Sequence, residues 1–119
     1  MLQFTTRIRP HVDAEIAAAL RAQRRNDMPG AFDHLERAHV LGQASTWLHI
    51  RVHWLMLLWG LRQRSPREIA GQLLRVAGAA TKTPFGLVPT GNTGGADVSP
   101  LRRMPIASEV QRRIDAARE

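Results

Sequence analysis

Residues 46–64 form the most apolar stretch of the chain and constrain its fold more than any other segment. This stretch contains all three tryptophans, Trp47, Trp54 and Trp59. A helix that is apolar on almost every side is either buried or spans a membrane. The unbroken apolar part, residues 54–61, is far shorter than the roughly 20 residues that a membrane span needs. We therefore expect this stretch to be the central helix of a small bundle that does not contact a membrane.

Capping residues and apolar spacing predict the other elements. Pro10 is expected to end regular structure in an N-terminal arm, and Asp13 and Asp27 to cap the first two helices. Ser65 with Glu68, and Ser108 with Gln111, have the spacing of capping boxes. We expect an arm over residues 1–12, helices over residues 14–25, 28–41, 45–64, 66–80 and 108–117, and a long loop over residues 81–105 with a short extended piece at residues 85–88.

These elements predict an all-α fold, a four- to five-helix bundle with the glycine- and proline-rich loop packed on it. A chain of 119 residues has the length of one domain. The apolar spacing also predicts which side chains of the last two helices face inward: Ile69, Leu73, Val76 and Ala77 or Ala80 on one, and Val110 and Ile114 on the other.

Residues 13–41 resemble part of a tetratricopeptide repeat. The residues that carry the resemblance fall at the spacings of the turn and second helix of that repeat: Asp27, Ala31, Leu35, Ala38 and Leu41. No second copy follows at the repeat period, so the chain is not a repeat array. The resemblance implies an antiparallel helical hairpin at the start of the bundle.

The composition excludes some functions and leaves others open. The chain has no cysteine, which excludes disulfides, thiolate metal sites and thiol nucleophiles. The net charge is +7, from sixteen arginines and one lysine against ten acidic residues. This balance permits a nucleic acid or an acidic protein as partner, but it also fits an ordinary solvated surface encoded by a GC-rich genome. The first sixteen residues have no apolar signal core, so we expect a cytoplasmic protein.

Two pairs of metal-ligating side chains mark the second and third predicted helices. Glu36 and His39 are three residues apart, and His49 and His53 are four apart, so each pair lies on one side of its helix. The link between the helices is short, which predicts antiparallel neighbours. Three imidazoles and one carboxylate form an acceptable ligand set for zinc, iron, nickel or manganese. Di-iron bundles use two Glu-x-x-His pairs, and only one is present, so any metal is expected to be single.

Two other interpretations of these histidines remain open. Buried histidines beside tryptophans are often core residues with a satisfied hydrogen bond, which Glu36, Asp33 or the glycine loop would provide here. Acid–base use without a metal is the second alternative. His34 is expected at the surface or facing the hairpin, and His11 is expected to be incidental.

The glycine-rich part of the long loop is a second candidate site. Its residues, which can present consecutive backbone N–H groups to a small anionic ligand, are Gly91, Asn92, Thr93, Gly94 and Gly95. No lysine follows the glycines, which excludes a phosphate-binding P-loop. The alternative is a loop folded over the bundle, with glycine where φ is positive and Asn92 bonding locally. A third interpretation has the loop close over the third helix and cap a pocket beside His49 and His53.

Four segments resemble a family of small bacterial proteins catalogued as domain-of-unknown-function family thirty-seven-oh-three. They are HLERAHVLGQ (34–43), HIRVHW (49–54), GQLLR (71–75) and VPTGNTGGADVSPLRRMPI (88–106). The resemblance extends over nearly the whole chain and implies a bacterial source. It implies no activity, because the family has none assigned.

These observations lead to one main functional hypothesis and two alternatives. We expect a small binding module that holds one divalent metal or a small ligand between the second and third helices. The first alternative is a basic protein that binds nucleic acid or an acidic partner. The second is a homo-oligomerisation module that uses apolar surface left over at Trp47 or Trp59. An enzymatic role has no identifiable nucleophile, since no serine lies in a nucleophile elbow and tyrosine is absent.

Overall fold

Five α-helices form the molecule, which we describe from a computed structural model covering residues 2–119. A short 3-10 turn, Thr83–Phe85, follows the fourth helix, and residues 2–119 contain no β-strand. The predicted all-α class is therefore confirmed. The helices are α1 (Leu2–Arg24), α2 (Met28–Gly42), α3 (Thr46–Arg62), α4 (Pro66–Lys82) and α5 (Ser108–Arg118).

Helix α1 corrects the prediction of an N-terminal arm. It begins at Leu2 and continues through Pro10, while Met1 lies outside the described residues. Proline removes a backbone donor and crowds the preceding turn. Here the ring is exposed to solvent, and the helix has a continuous buried face on both sides of it. Burial of that face outweighs the cost of the proline. Its residues are Phe4, Ile8, Val12, Ile16, Ala19 and Ala22.

Helices α1 and α2 form the antiparallel hairpin. Asp27 caps α2 as predicted, by accepting a hydrogen bond from the Gly30 amide at 3.0 Å. Asp13 lies inside α1 and pairs with Arg51 of α3 instead of capping a helix. Glu15 is buried and accepts from both His34 and Arg37, at 2.8 and 2.9 Å. Burial opposes its ionisation, but these two partners outweigh that effect and lower the pKa of Glu15.

Helix α3 packs between α2 and α4, but it is not buried on all sides. Leu48, Val52 and Met56 are completely buried and join the core made by α1, α2, α3 and α5. The opposite side exposes Trp47, Trp54, Leu58 and Leu61, which follow a helical spacing. Helix α5 packs on α1 and α2 and not on α3, so no helix within residues 2–119 covers this side. The expectation of all-round burial is wrong for this reason.

The third tryptophan of α3 is packed against the start of α2. Trp59 lies on Phe32, with ring centroids 4.5 Å apart, and its indole N–H donates to the Met28 carbonyl at 2.9 Å. Of the two tryptophans expected to provide surplus apolar surface, the structure therefore exposes Trp47 and largely covers Trp59.

Helix α4 presents an unexpected face to α3. The residues buried on it are Glu68, Gln72 and Ala79, whereas Leu73, which the spacing predicted to face inward, is exposed together with Leu74. The prediction followed apolar periodicity, but the contact between α3 and α4 contains polar side chains. This inversion places Gln72 beside His53 of α3, with Glu68 bonded to Gln72.

The capping predictions for α4 and α5 hold only in part. Ser65 caps α4 by accepting from the Glu68 amide. The Glu68 carboxylate does not return to Ser65, because it accepts from the Ala96 amide of the long loop at 3.1 Å. Helix α5 has Ala107 at its N-cap and no side-chain cap, so the second predicted box does not form. Val110 and Ile114 are buried as predicted.

The long loop folds back over α2 and α4. Gln43 donates to the Pro89 carbonyl and accepts from the Gly91 amide, at 2.8 and 2.9 Å. Arg75 donates to the Val98 carbonyl at 2.7 Å. The extended piece predicted at residues 85–88 is not formed, because the 3-10 turn ends at Gly86 with φ of 70°. These bonds hold the loop against the side of α3 that carries its histidines.

None of the helices α1–α5 combines the length and the apolarity that crossing a lipid bilayer would require.

We predict that two leucines of α3 differ strongly in their contribution to stability. Leu48→Ala removes a completely buried side chain and should lower the free energy of unfolding by about 2–5 kcal/mol. Leu61→Ala, at a side chain that is 51% exposed, should change it by less than about 1 kcal/mol. Urea unfolding followed by circular dichroism measures both. Equal losses would contradict the one-sided burial of α3.

Candidate functional site

Three of the five histidines come together in the interior. His39 is on α2, and His49 and His53 are one turn apart on α3. Their Nε2 atoms form a nearly equilateral triangle, with separations of 2.9 Å (His39 to His49), 3.0 Å (His39 to His53) and 3.1 Å (His49 to His53). All three side chains are buried.

Close packing of α2 on α3 brings the rings together. The helices are joined by only three residues, so they are antiparallel neighbours. At the end of α2, a Cβ added to Gly42 would lie 3.1 Å from the Cβ of Leu48. This close approach leaves no room for a side chain between the helices there, and it places His39 opposite the His49–His53 pair.

Each ring is oriented by a hydrogen bond at its other nitrogen. The Nδ1 atom of His39 is 2.6 Å from the Asn92 carbonyl oxygen in the long loop. The Nδ1 atom of His49 is 2.7 Å from the Thr83 hydroxyl, just after α4. The Nδ1 atom of His53 is 2.6 Å from Oε1 of Gln72 on α4. All three Nε2 atoms are thereby turned toward one another.

The acceptors define the tautomers of two of the rings. A backbone carbonyl only accepts, so His39 carries its proton on Nδ1. The Gln72 amide nitrogen donates to Glu68 and to the Gly94 carbonyl, at 2.7 and 2.8 Å. Because both of those partners are acceptors, Gln72 turns its oxygen to His53, which must also donate from Nδ1. In a neutral imidazole, Nε2 then carries a lone pair.

Burial keeps the three rings neutral. Removal from water is the main cause that lowers the pKa of His49 to about 3 and that of His53 to about 4. The same cause, reinforced by the two neighbouring rings, lowers the pKa of His39 well below its usual value. At neutral pH the Nε2 atoms of His39 and His53 therefore face each other at 3.0 Å with no proton between them.

Such an arrangement of lone pairs is repulsive unless a cation lies between them. The three nitrogens lie close enough together to bind one metal ion jointly. Each of the three histidines has a hydrogen-bonded partner at its second ring nitrogen, as metal-binding histidines usually do. The donor set is made of three neutral imidazoles, which suits zinc, copper, iron and nickel.

Glu36, the fourth predicted ligand, is not part of this group. Its carboxyl interacts with the Thr93 side chain and lies among other carboxylates, Asp97, Asp33 and Glu68. Burial, and then repulsion by these neighbours, raises the pKa of Glu36 to about 7. The two candidate ligands of α2, about one turn apart, therefore lie in different surroundings. His39 is part of the triad, and Glu36 lies among carboxylates next to the loop.

The glycine segment of the loop lies directly against the triad. Besides the bond from His39 to Asn92, Gly94 approaches His39 so closely that an added Cβ would lie 2.6 Å from its ring. Both Gly91 and Gly94 have positive φ, of 80° and 86°. The Asn92 side chain bonds locally, accepting from the Gly94 amide at 2.9 Å.

Several backbone amides that an anion would need in this segment are already bonded within the protein. The Gly91 amide donates to Gln43, the Asn92 amide to the Pro89 carbonyl, and the Gly94 amide to Asn92. The segment lies against His39, and these three amides point to acceptors within the protein and not to solvent.

A cavity of about 370 Å³ borders the triad. All three histidines line it, together with α4 and the long loop. The other two histidines are elsewhere: His34 pairs with Glu15 in the hairpin, as one of its predicted positions allowed, and His11 lies on α1. The histidine cluster is therefore packed against protein on one side and borders the cavity on the other.

Two residues that orient the rings, Gln72 and Thr83, were not among the predicted site residues. No spacing connects them to the histidines, because they come from α4 and the turn after it. One signal was present: Glu68 and Gln72 are four residues apart and therefore lie on one side of α4.

We predict that a methyl group at Gly94 disrupts the triad. Gly94→Ala has the strain of positive φ and also a clash with the His39 ring. Gly86→Ala is a matched control, because its φ is 70° and, apart from its two chain neighbours, no residue has an atom within 4 Å of an added Cβ. Thermal unfolding should show a loss of about 1–2 kcal/mol for Gly86→Ala and a clearly larger loss for Gly94→Ala. Equal losses would mean that the loop does not press on His39.

We also predict a pH-dependent gain in stability from Glu36→Gln. The pKa of Glu36 is raised from 4.5 to about 7 on folding, so ionisation between these values lowers the stability of the folded protein. In the presence of a chelator, the variant should match the wild type near pH 4 and exceed it at pH 8 by on the order of 1 kcal/mol, allowing for solvent screening. Glu119→Gln, at the chain end, is the control. A difference that does not depend on pH would contradict this interpretation of Glu36.

The family comparison agrees with the resemblance found in the sequence. Residues 6–114 match the model of a family described as "Protein of unknown function (DUF3703)". No curated protein sequence and no solved protein structure matches the chain. The four segments that resemble this family lie within the match and contribute His39, the His49–His53 pair, Gln72 and Asn92 to the site. The chain therefore belongs to the DUF3703 family.

Proposed function

We propose that this protein binds one divalent transition-metal ion through the Nε2 atoms of His39, His49 and His53. The observation that carries the proposal is the triangle of inward-turned Nε2 atoms, in which each ring has a hydrogen-bond partner at Nδ1 and the rings of His39 and His53 have no proton on Nε2. Without a cation, the rings of His39 and His53 hold two lone pairs at 3.0 Å. With one, every ring nitrogen has a partner.

The dimensions of the triangle fit such an ion. Bonds of about 2.0–2.1 Å from a metal to three nitrogens that are 2.9–3.1 Å apart enclose angles of about 90–100°. These angles are those of an octahedral face or a slightly compressed tetrahedron. Only small shifts of the rings would be needed, so the site is largely preorganised.

The donor set favours zinc, nickel or iron over manganese. Manganese prefers carboxylate and water oxygens, and Glu36 is not in the group. Three protein ligands also leave at least one coordination position to water or another molecule, as in zinc sites that perform catalysis and unlike closed structural sites. The proposed site is therefore an open one, able to take a further ligand.

The alternative is a buried polar network without metal, in which one ring donates from Nε2 to another. That arrangement needs one of two protonation states. Either one ring is protonated at both nitrogens, or His49 carries its proton on Nε2 and its Nδ1 accepts from the Thr83 hydroxyl. It can satisfy one contact of the triangle but not all three, since His39 and His53 both donate from Nδ1. A metal accounts for all three contacts at once.

We predict one tightly bound metal ion per chain. Chelator-treated protein dialysed separately against zinc, nickel, iron(II), manganese or cobalt(II) should retain about one equivalent of the preferred ion, measured by mass spectrometry of the elements. His53→Gln and His49→Ala should reduce retention to less than a tenth. His34→Ala and His11→Ala, which change histidines outside the triad, should retain the full equivalent.

Nitrogen NMR of the histidine rings provides a second measurement. Metal should shift the Nε2 signals of the three triad residues and leave their Nδ1 atoms protonated, because those protons are held by the acceptors described above. Circular dichroism confirms that each variant is folded. No stoichiometric metal with any of the five ions, or equal retention by the His53→Gln variant, would contradict the proposal.

A further inference from the structure

The cavity beside the triad is the strongest remaining feature of the molecule. Its 370 Å³ falls within the range of small-molecule pockets. Because all three histidines line it, a molecule inside the cavity reaches any ion that they hold. The features of its other walls therefore indicate what kind of molecule would complete the coordination of the metal.

The charged groups of the cavity wall are cationic. Arg75 and Lys82 line it, and no aspartate or glutamate does. Arg75 lines the same cavity as all three histidines. A bound divalent cation would add to this positive potential, so the cavity favours a ligand with a negative charge.

Arg75 is held in place by backbone carbonyls and has no direct ion pair, although the charges of Glu68 and Asp97 act on it from a longer distance. Its guanidinium donates to the carbonyls of Gly71 and Val98, at 3.0 and 2.7 Å. Its Nε–H is buried without an acceptor, and within residues 2–119 no carboxylate lies within ion-pair distance of the guanidinium. A guanidinium fixed at a cavity wall by backbone carbonyls keeps its positive charge and attracts an anion.

The rest of the wall is apolar and partly open to solvent. Leu74 of α4 and Leu87 of the loop both line the cavity, with exposed fractions of 67% and 65%. Val88, Pro89 and Ala77 complete this side. Large apolar side chains exposed around a concave site mark a surface that a ligand covers. The cavity therefore has a cationic, metal-facing end and an apolar mouth.

We infer that the cavity binds a small amphipathic carboxylate whose oxygen coordinates the triad-bound metal and whose apolar tail lies against Leu74 and Leu87. This inference rests on the proposed metal site, because the carboxylate oxygen would coordinate the metal ion held there. A carboxylate matches the open coordination position and the charge of Arg75 and Lys82. The tail matches the apolar mouth, which a small inorganic anion would leave uncovered.

Titration of the cobalt(II)-loaded protein with hexanoate tests the inference. Cobalt(II) reports a change of ligand through its visible absorption. Hexanoate should alter the spectrum with one-to-one saturation and bind at least ten-fold more tightly than acetate, which has the same head and no tail. 1-Hexanol, which has the tail without the charge, should leave the spectrum unchanged.

Neighbouring leucines of α4 provide matched variants for the tail. Leu74→Ala should weaken hexanoate binding at least three-fold and leave acetate unaffected. Leu73→Ala removes a similarly exposed leucine that does not line the cavity, and it should affect neither ligand. Lys82→Gln should weaken both carboxylates, and the effect should shrink as salt is added.

The outcomes separate this inference from the metal proposal. Full cobalt content with equal affinity for hexanoate and acetate overturns the inference and leaves the metal site intact. Hexanoate binding that is equally strong without metal, measured by thermal shift of chelator-treated protein, overturns the coordination step. Absence of metal binding removes the proposed function, and the coordinated carboxylate with it.

Discussion

The hydrogen bonds at the outer nitrogens of the three histidines are the interaction on which the site depends. They come from three separate parts of the chain: Asn92 in the loop, Gln72 on α4 and Thr83 after α4. Each bond determines where one lone pair points. If the loop or α4 moved, a histidine ring would lose the hydrogen bond that orients it. The triad therefore depends on the arrangement of α2, α3, α4 and the loop.

Glu68 and Gln72 extend this dependence from the rings to the backbone. Gln72 bonds at the same time to His53, to Glu68 and to the Gly94 carbonyl. Glu68 in turn accepts from the Ala96 amide. The polar face of α4 therefore connects the position of the loop to the orientation of the His53 ring. A chain of bonded polar groups of this kind is stable only when each member is satisfied, which explains why the buried side of α4 is polar.

The polar buried face of α4 leaves apolar side chains exposed on its other side. Since α4 turns Glu68 and Gln72 inward, its Leu73 and Leu74 face solvent, and α3 exposes a stripe that includes Trp54. The apolar core is built mainly by α1, α2, α3 and α5. Helix α4 contributes to the site more than to this core. The molecule thus has an apolar half that carries stability and a polar half that positions the histidines.

Local signals in the sequence were sufficient for much of the fold. The helical class, the cap at Asp27, the start of α4 at Pro66 and the inward face of α5 follow from short-range spacing and capping chemistry, which act within one or two turns. The pairing of His49 with His53 is also local, because residues four apart share a helix face. His39 could be added because the turn between α2 and α3 is so short.

Tertiary structure decided the rest. Pro10 lies inside α1 because burial on both sides of it outweighs a local preference. Glu36 and His39 were both predicted as ligands from their spacing on α2. The rotation of α2 against α3 places His39 in the triad and Glu36 near Asp97. Gln72 and Thr83 are 19 and 34 residues from the histidines they orient. Contacts at such separations depend on how helices pack, and no pattern within a single helix encodes them.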